Sequence, residues 1–265
     1  MARVLALLPH PAAAERLRAA LAPDARREPP CELAFAPAWG ELLRQARVRP
    51  PDVVVFDPDA GVEGCEELHA AQPAVALLPY GRFDGERARV LLRLSRLGVR
   101  EVLIRGRDDD PPAIRAHVAE LLWRPLVDEV TGALGDLFPD SLQPLLLHLL
   151  SNAAAPLDPA RAARSQFCHA KTLRARLRRA GLPSLNRLIV WTRLFHAAHL
   201  MASAGRSAEQ AARAIGYPSA AALRTQVHRY AGLRVRDLRR PGGLRRLLEA
   251  FRKRCSESFS LSMAE

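Results

Sequence analysis

Residues 171–181 read KTLRARLRRAG. Leu173 and Leu177 stand four apart and share one face of a helix, while Lys171, Arg174 and Arg178, spaced by three or four, share another. Gly181 supplies the residue type that ends helices in the left-handed region. The stretch therefore predicts a short helix with one greasy stripe and one cationic stripe. The greasy stripe must be covered, and the flanking sequence supplies the cover. Upstream, Asp158 and Pro159 give an N-cap and a first-turn proline for another short helix, whose expected core side is Ala160, Ala163 and Phe167. A turn at Cys168–Ala170 then joins the two helices. Before them, LQPLLLHLLSN (142–152) predicts an apolar helix.

Downstream, SLNRLIVWTRLFHAAHLMASAG (184–205) is a long helix, with Ser184 at its start. Leu185, Leu188, Ile189, Trp191, Leu194, Phe195, Ala198 and Met201 cover most of its circumference, and a helix apolar nearly all round is sandwiched. The plan then repeats. Ser207 and Gln210 form a capping box ahead of AEQAARAIG (208–216), which packs Ala211, Ala212 and Ile215. Gly216 ends that helix, Tyr217–Pro218 turn, and Ser219 caps AAALRTQVHRYAG (220–232). Leu223 and Val227 face inward there, with Arg224, Gln226, His228 and Arg229 mostly outward.

The N-terminal half has a different rhythm. Short apolar runs at 3–8, 31–37, 53–57, 74–78 and 101–105 alternate with amphipathic runs near 12–22, 40–47, 62–71, 85–97 and 111–124. Runs such as VVVF, apolar on both faces, suit central parallel strands with helices on either side. Five such βα repeats imply a doubly wound open sheet, whose sites lie at the C-terminal strand ends, where Asp57 and Asp59 fall.

The 265 residues hold 40 Lys+Arg and 28 Asp+Glu, a formal charge of +12. Residues 1–125 hold 18 of each sign, so the whole excess lies in residues 126–265 and favours a polyanion partner for that half. No stretch of about 18 apolar residues predicts a membrane span. MARVLALLPHP reads as a first strand rather than a signal peptide. Cys31, Cys65, Cys168 and Cys255 are scattered without a CxxC pair, which fits a reducing cytoplasm and neither a zinc site nor a disulfide framework.

Over residues 140–240 the sequence resembles the AraC/XylS family of helix-turn-helix transcription regulators. TLRARLRRAG (172–181), RLFHAAHLM (193–201) and IGYPSAAALRTQVHRYAG (215–232) carry the resemblance, in that order and spacing. It implies that the second helix of each pair enters the major groove of double-stranded DNA. Base reading then maps to His169, Ala170, Lys171, Thr172 and Arg174, and to Ser219, Ala220, Arg224 and Thr225. Arg176, Arg179 and Arg229 are placed to meet phosphates, and Arg178 joins the cationic stripe. The long helix would span roughly 30 Å, close to the ~34 Å between adjacent major-groove segments on one DNA face. The second pair departs from the family: Leu223 and Val227 stand where aromatic core residues are usual, and Thr225 replaces a frequent arginine. That predicts weaker DNA binding by the second pair.

Over about the first 125 residues the sequence resembles response-regulator receiver domains, an α/β flavodoxin-like fold. PDVVVFDPDAG (51–61) resembles the family's third strand with Asp57 at the phosphoacceptor position, and LGVREVLIRG (97–106) its fourth helix end and fifth strand. The magnesium-holding acidic pair maps to Leu8 and Pro9, the hydroxyl residue to about Pro79, and the lysine to Arg105. Phosphoryl transfer to a carboxylate needs a cation against the transferring oxygens. The expectation is therefore a degenerate receiver-like domain for dimerisation or partner input, with phosphorylation at Asp57 as the alternative.

The expected organisation is a receiver-like domain at 1–125, a linker at 126–139, a double helix-turn-helix domain at 140–240, and a partly disordered extension at 241–265. The expected function is a sequence-specific, cytoplasmic transcription regulator that is not an enzyme and uses no cofactor. Double-stranded DNA is its partner, with a homodimer and RNA polymerase as further candidates. A non-DNA adaptor docking acidic proteins through the basic helices is the remaining alternative. His196 and His199 lack a third metal ligand in the sequence pattern, and Asp57, Asp59 and Glu63 lack a nucleophile-base pair for hydrolysis.

Overall fold

Val53–Phe56, the run apolar on both faces, is a strand with no exposed surface. In a computed structural model, which describes residues 2–22, 31–83, 88–153, 158–202 and 205–262, it forms the middle of a five-stranded parallel sheet. The chain divides into two units, Met1–Leu122 and Trp123–Glu265.

In the first unit strands and helices alternate: β1 (Ala2–Leu7), α1 (Pro11–Leu21), β2 (Cys31–Phe35), α2 (Trp39–Val48), β3 (Val53–Phe56), α3 (Glu63–Ala71), β4 (Ala76–Gly81), α4 (Ala88–Arg96), β5 (Leu103–Ile104) and the first turns of α5 (Pro111–Leu134), whose residues from Trp123 on belong to the second unit. The strand order is β2-β1-β3-β4-β5, with Val4 opposite Val53 and Phe56 opposite Pro79. Alternate strand residues point to opposite faces. Val4, Ala6, Val53 and Val55 pack with Leu17 of α1 and Ile114 and Val118 of α5. Leu5, Leu7, Val54 and Phe56 pack with Leu42, Leu68 and Leu94 of α2, α3 and α4. Both faces are therefore covered, as an all-parallel sheet requires.

Several strand boundaries differ from those expected: β2, expected at 31–37, ends at Phe35, and β5, expected at 101–105, is confined to Leu103–Ile104. β4, expected at 74–78, runs on through Pro79 to Gly81. Tyr80 explains the extension: its ring is fully buried and its hydroxyl donates to Asp109. The first residues of the helix expected at 85–97 lie outside the described residues; α4 is described over Ala88–Arg96. The larger correction concerns 126–139, expected to be a linker. α5 continues through Pro125 to Leu134, and a 3-10 turn follows at Gly135–Leu137. A proline inside a helix removes one hydrogen bond. Leu126, Val130, Leu134 and Phe138, four apart and all buried, outweigh that loss.

The second unit is helical: after α5 come α6 (Gln143–Ser151), α7 (Pro159–Ser165), α8 (Ala170–Arg179), α9 (Leu185–Ala202), α10 (Ala208–Ala214), α11 (Ala220–Ala231), α12 (Val235–Leu238) and α13 (Gly243–Ser262). α9 is its axis. All eight apolar residues expected to wrap it are buried, and α6, α10, α11, α12 and α13 all touch it. The extension expected to be partly disordered is largely α13, which reaches Ser262; residues 263–265 lie outside the described residues. α13 makes the most extensive helix contact with α9. Phe251 is its anchor, with its ring centroid 5.3 Å from Trp191, 6.0 Å from Phe195 and 6.4 Å, stacked, from Phe138. Leu244, Leu247, Leu248 and Phe251 repeat at helical spacing. The serines that follow favour disorder by composition, but serine at a helix end costs little once the preceding turns are packed.

Candidate nucleic-acid interface

Two helix pairs are built alike. α7 and α8 form the first, α10 and α11 the second. In each, the chain leaves the first helix through the same closure: the Cys168 N–H donates to the Ala163 carbonyl at 3.2 Å, and the Tyr217 N–H donates to the Ala212 carbonyl at 2.8 Å. This six-to-one bond needs a left-handed residue just before its donor. In the second pair that residue is Gly216, φ +78°; in the first it is Phe167, φ +49°. Phe167 is the one non-glycine residue with positive φ among the described residues. Its side chain is 99% exposed, not buried as the sequence suggested. Ala160 is exposed too, and α7 buries Ala162 and Ala163 instead. The helix ends at Ser165, so Phe167 stands beyond it in the left-handed turn and off the face that Ala162 and Ala163 bury.

The caps follow the sequence. The Asp158 carboxylate accepts the Arg161 N–H at 2.7 Å, and Ser207 and Gln210 exchange both bonds of a capping box. The Ser219 hydroxyl accepts the Ala222 N–H at 3.3 Å, which sets the start of α11. His169 occupies the N-cap of α8 without a side-chain bond to the helix, so its imidazole is exposed and uncommitted there.

On α8, Leu173 and Leu177 are buried while Lys171, Thr172, Arg174, Arg176, Arg178 and Arg179 are exposed. Among the described residues none of the five cations makes an ion pair. Ala170 is half-buried at the first turn. On α11, Leu223 and Val227 are buried while Arg224, Thr225, His228 and Arg229 are exposed. The Thr225 hydroxyl donates to the Ala221 carbonyl at 3.1 Å, which leaves the oxygen able to accept. Ala220, expected among the base-reading residues, is 6% exposed, and its N–H donates to Glu209 Oε2 at 2.9 Å. Ala220 belongs to the packing between α10 and α11 rather than to the outer face.

Cations beyond the expected set adjoin these helices. Arg187 of α9, exposed, lines a shallow groove with Arg174 and Arg178. Arg234, Arg236 and Arg239 cluster just after α11. Sequence spacing alone could not place them, because Arg187 sits in the apolar helix and the other three follow the last recognisable repeat.

The other expected site lies in the first unit. Asp57 directly follows β3 and is 4% exposed. Its Oδ1 accepts the Asp59 N–H at 3.0 Å, and Arg105 Nη1 stands 3.5 Å from Oδ2. A Cβ at Gly81 would meet Asp57 Oδ1 at 3.3 Å and Pro58 Cδ at 3.0 Å, so β4 closes tightly over the carboxylate. Nearby, Asp109 accepts from Tyr80 Oη at 3.0 Å and from the Arg16 guanidinium. The hydrogen bonds from Gly106, Tyr80 and Arg16 hold the Asp109 carboxyl below its ordinary range against the opposing cost of burial, and burial pushes Tyr80 up to about 12. This triad ties α1, β4 and the loop before α5 together, and nothing in the sequence pattern announces it.

His196 and His199 face the core of the second unit. His196 Nδ1 is 2.9 Å from the Thr192 carbonyl oxygen, and its ring stands edge-on to Trp123 at 4.6 Å. Burial pushes His196 down to about 4, so the imidazole is neutral and donates through Nδ1.

Among the described residues no helix is long and apolar enough to cross a membrane. Comparison with protein-family models, with curated proteins and with solved structures returned no match.

Proposed function

We propose that the chain is a sequence-specific regulator that binds double-stranded DNA through two helix-turn-helix units, α7–α8 and α10–α11. One observation carries the reading: each second helix buries an apolar face, Leu173 and Leu177 on α8 and Ala220, Leu223 and Val227 on α11, and turns cationic and polar side chains outward, and none of the five cations of α8 has an ion-pair partner among the described residues. An arginine row left without acids on the outer face of the second helix of a pair suits a polyanion groove. Arg174 and Lys171 are suited to reading guanine edges, while Arg176, Arg179 and Arg229 are suited to phosphates. α9, 18 residues and roughly 27 Å long, lies between the pairs in sequence and packs against the second. Such a connector can hold two readers about one helical turn of DNA apart.

The strand order 2-1-3-4-5 of the first unit is that of flavodoxin-like folds, which favours the receiver-like reading of that half. Its role in this proposal is dimerisation or partner input rather than phosphoryl signalling, because Leu8 and Pro9 stand where the resembled family has its magnesium-holding acids.

The test is selection of genomic DNA fragments by the purified chain at two salt concentrations, followed by sequencing. A recovered motif with two half-elements about one helical turn apart is the expected result. A single short motif would assign base reading to α8 alone. Salt-sensitive binding without any motif would overturn sequence specificity and favour an adaptor for acidic proteins.

A further inference from the structure

A groove of about 540 Å³ opens in the second unit where α11 meets α12. Its floor is apolar: Met201 and Val235 are buried, and Ala208 and Leu233 half-buried. Its rim is cationic, formed by Arg224, Arg234, Arg236 and Arg239. The carboxylates nearest in the chain are already engaged. Asp237 accepts the Arg234 backbone N–H at 3.1 Å and pairs with Arg240, while Glu209 accepts the Ala220 N–H and pairs with Arg213 at 3.2 Å. Among the described residues Arg224, Arg236 and Arg239 make no ion pair. The groove thus sets an apolar floor beneath exposed guanidinium groups that lack a carboxylate partner among the described residues. It is complementary to a molecule with an apolar body and one anionic end. Its size is that of small-molecule sites, which are mostly apolar with a few convergent polar groups.

We propose that this groove binds a small amphipathic carboxylate, its apolar body on Met201, Leu233 and Val235 and its carboxylate held by the arginine rim. Arginine suits the task because its planar fork pairs both carboxylate oxygens. The duplex backbone carries anions that would meet the same rim, but phosphodiesters have no apolar body to set on the floor. The groove borders the candidate nucleic-acid interface and shares Arg224 and His228 of α11 with it, so the test below separates the two roles of the arginine rim.

The experiment is titration of the full chain, without DNA, with 2-naphthoate and decanoate, followed by calorimetry. The neutral 2-naphthalenemethanol and inorganic phosphate serve as controls. One-to-one binding of at least one carboxylate, with Kd at or below about 1 mM and at least about tenfold tighter than either control, is the expected result. The double variant Arg236→Gln, Arg239→Gln should weaken it at least about tenfold. Both arginines are exposed, so circular dichroism and melting temperature should stay at the parent's values; Leu233→Gln, a second variant, should weaken binding through the floor. Three outcomes would overturn the proposal. Neither carboxylate binds in that range; the neutral alcohol binds as well as naphthoate; or the double variant keeps full affinity. If the carboxylates fail to bind while the double variant lowers duplex affinity and the salt slope, the arginines serve the nucleic-acid backbone instead.

Discussion

Arg105 Nη1 stands 3.5 Å from Asp57 Oδ2, and the other carboxylate oxygen of Asp57 accepts the Asp59 N–H at 3.0 Å. A phosphoacceptor must present a free oxygen to the incoming phosphorus, with a divalent cation beside it. Here one oxygen is bonded and the other faces a guanidinium, with Leu8 and Pro9 where the resembled family has acids. We expect no acyl-phosphate at Asp57 when the chain is incubated with acetyl phosphate and magnesium, read by mass spectrometry. Asp57→Asn should leave duplex affinity within about twofold. Stoichiometric labelling that Asp57→Asn abolishes, together with a changed duplex affinity, would restore the phosphorylation switch.

Arg174 and Arg176 lie on one exposed helix but on different sides of it, about 200° apart around the axis. If α8 lies in a major groove, only one of those sides faces the base edges. Arg174→Ala should cost about 1–3 kcal/mol for the preferred site and relax discrimination at one or two base positions. Arg176→Ala should weaken all duplexes by a similar factor and lower the slope of log affinity against log salt by about one. Equal, sequence-independent losses from both variants would mean that α8 reads no bases.

Most of the fold was legible because periodicity reports burial directly. The five strands and the helices from α6 to α11 fall where alternation and four-residue spacing put them. What failed has a common physical cause: local signals were outvoted by packing that only the tertiary structure reveals. Pro125 and the glycines at 132 and 135 read as breakers, yet Leu126, Val130 and Leu134 carry α5 past them. Phe167 read as core because it is apolar and four residues from Ala163, but the helix had already ended at Ser165. In the candidate interface the cationic stripe of α8 was visible from spacing, whereas Arg187, Arg234, Arg236 and Arg239 needed the fold to bring them alongside.

Phe167 holds φ +49° where its counterpart in the second pair is Gly216. A left-handed conformation costs a residue with a side chain about 1–2 kcal/mol, and asparagine less. The ring is fully exposed, so removing it loses little burial. Phe167→Asn should therefore stabilise the isolated chain by about 0.5–1 kcal/mol in urea unfolding. A loss of stability would show that the phenyl ring is covered in solution.

His196 makes the second unit sensitive to acid. Burial is the main cause of its shift from 6.5 to about 4; the neighbouring His199 lowers it further, and the Thr192 carbonyl opposes. The folded value lies below the unfolded one, so protonation favours the unfolded chain. The stabilising contribution is complete above about pH 6.5 and is lost progressively as pH falls towards 4. It amounts to roughly 3 kcal/mol over that window. His148, also lowered by burial with Arg161 nearby, adds a slope of the same sign. His196→Gln should lower stability at pH 7 and flatten the fall between pH 6.5 and 4 without abolishing it, as measured by denaturant midpoints. An unchanged pH slope would show that His196 is solvated.

Phe251 and Arg252 are neighbours on α13 that hold it by different means, and magnitude separates them. Arg252 spans Asp136, with Nη1–Oδ2 at 3.0 Å and Nη2–Oδ1 at 2.5 Å, and also donates to the Ala133 carbonyl at 2.7 Å. Both side chains are nearly half-exposed or more, and water screens such pairs to about 1 kcal/mol or less. Phe251 is 1% exposed within the ring cluster of Trp191, Phe195 and Phe138. Deleting it removes a large apolar area and leaves a cavity against the axis helix, a loss of about 3–5 kcal/mol. Phe251→Ala should therefore shift the denaturant midpoint several times further than Arg252→Ala. Ending the chain at Arg240 should leave the second unit unfolded, with near-ultraviolet circular dichroism of its tryptophans lost. A folded, cooperative protein ending at Arg240 would show that α13 is an accessory to the helical unit rather than part of its core.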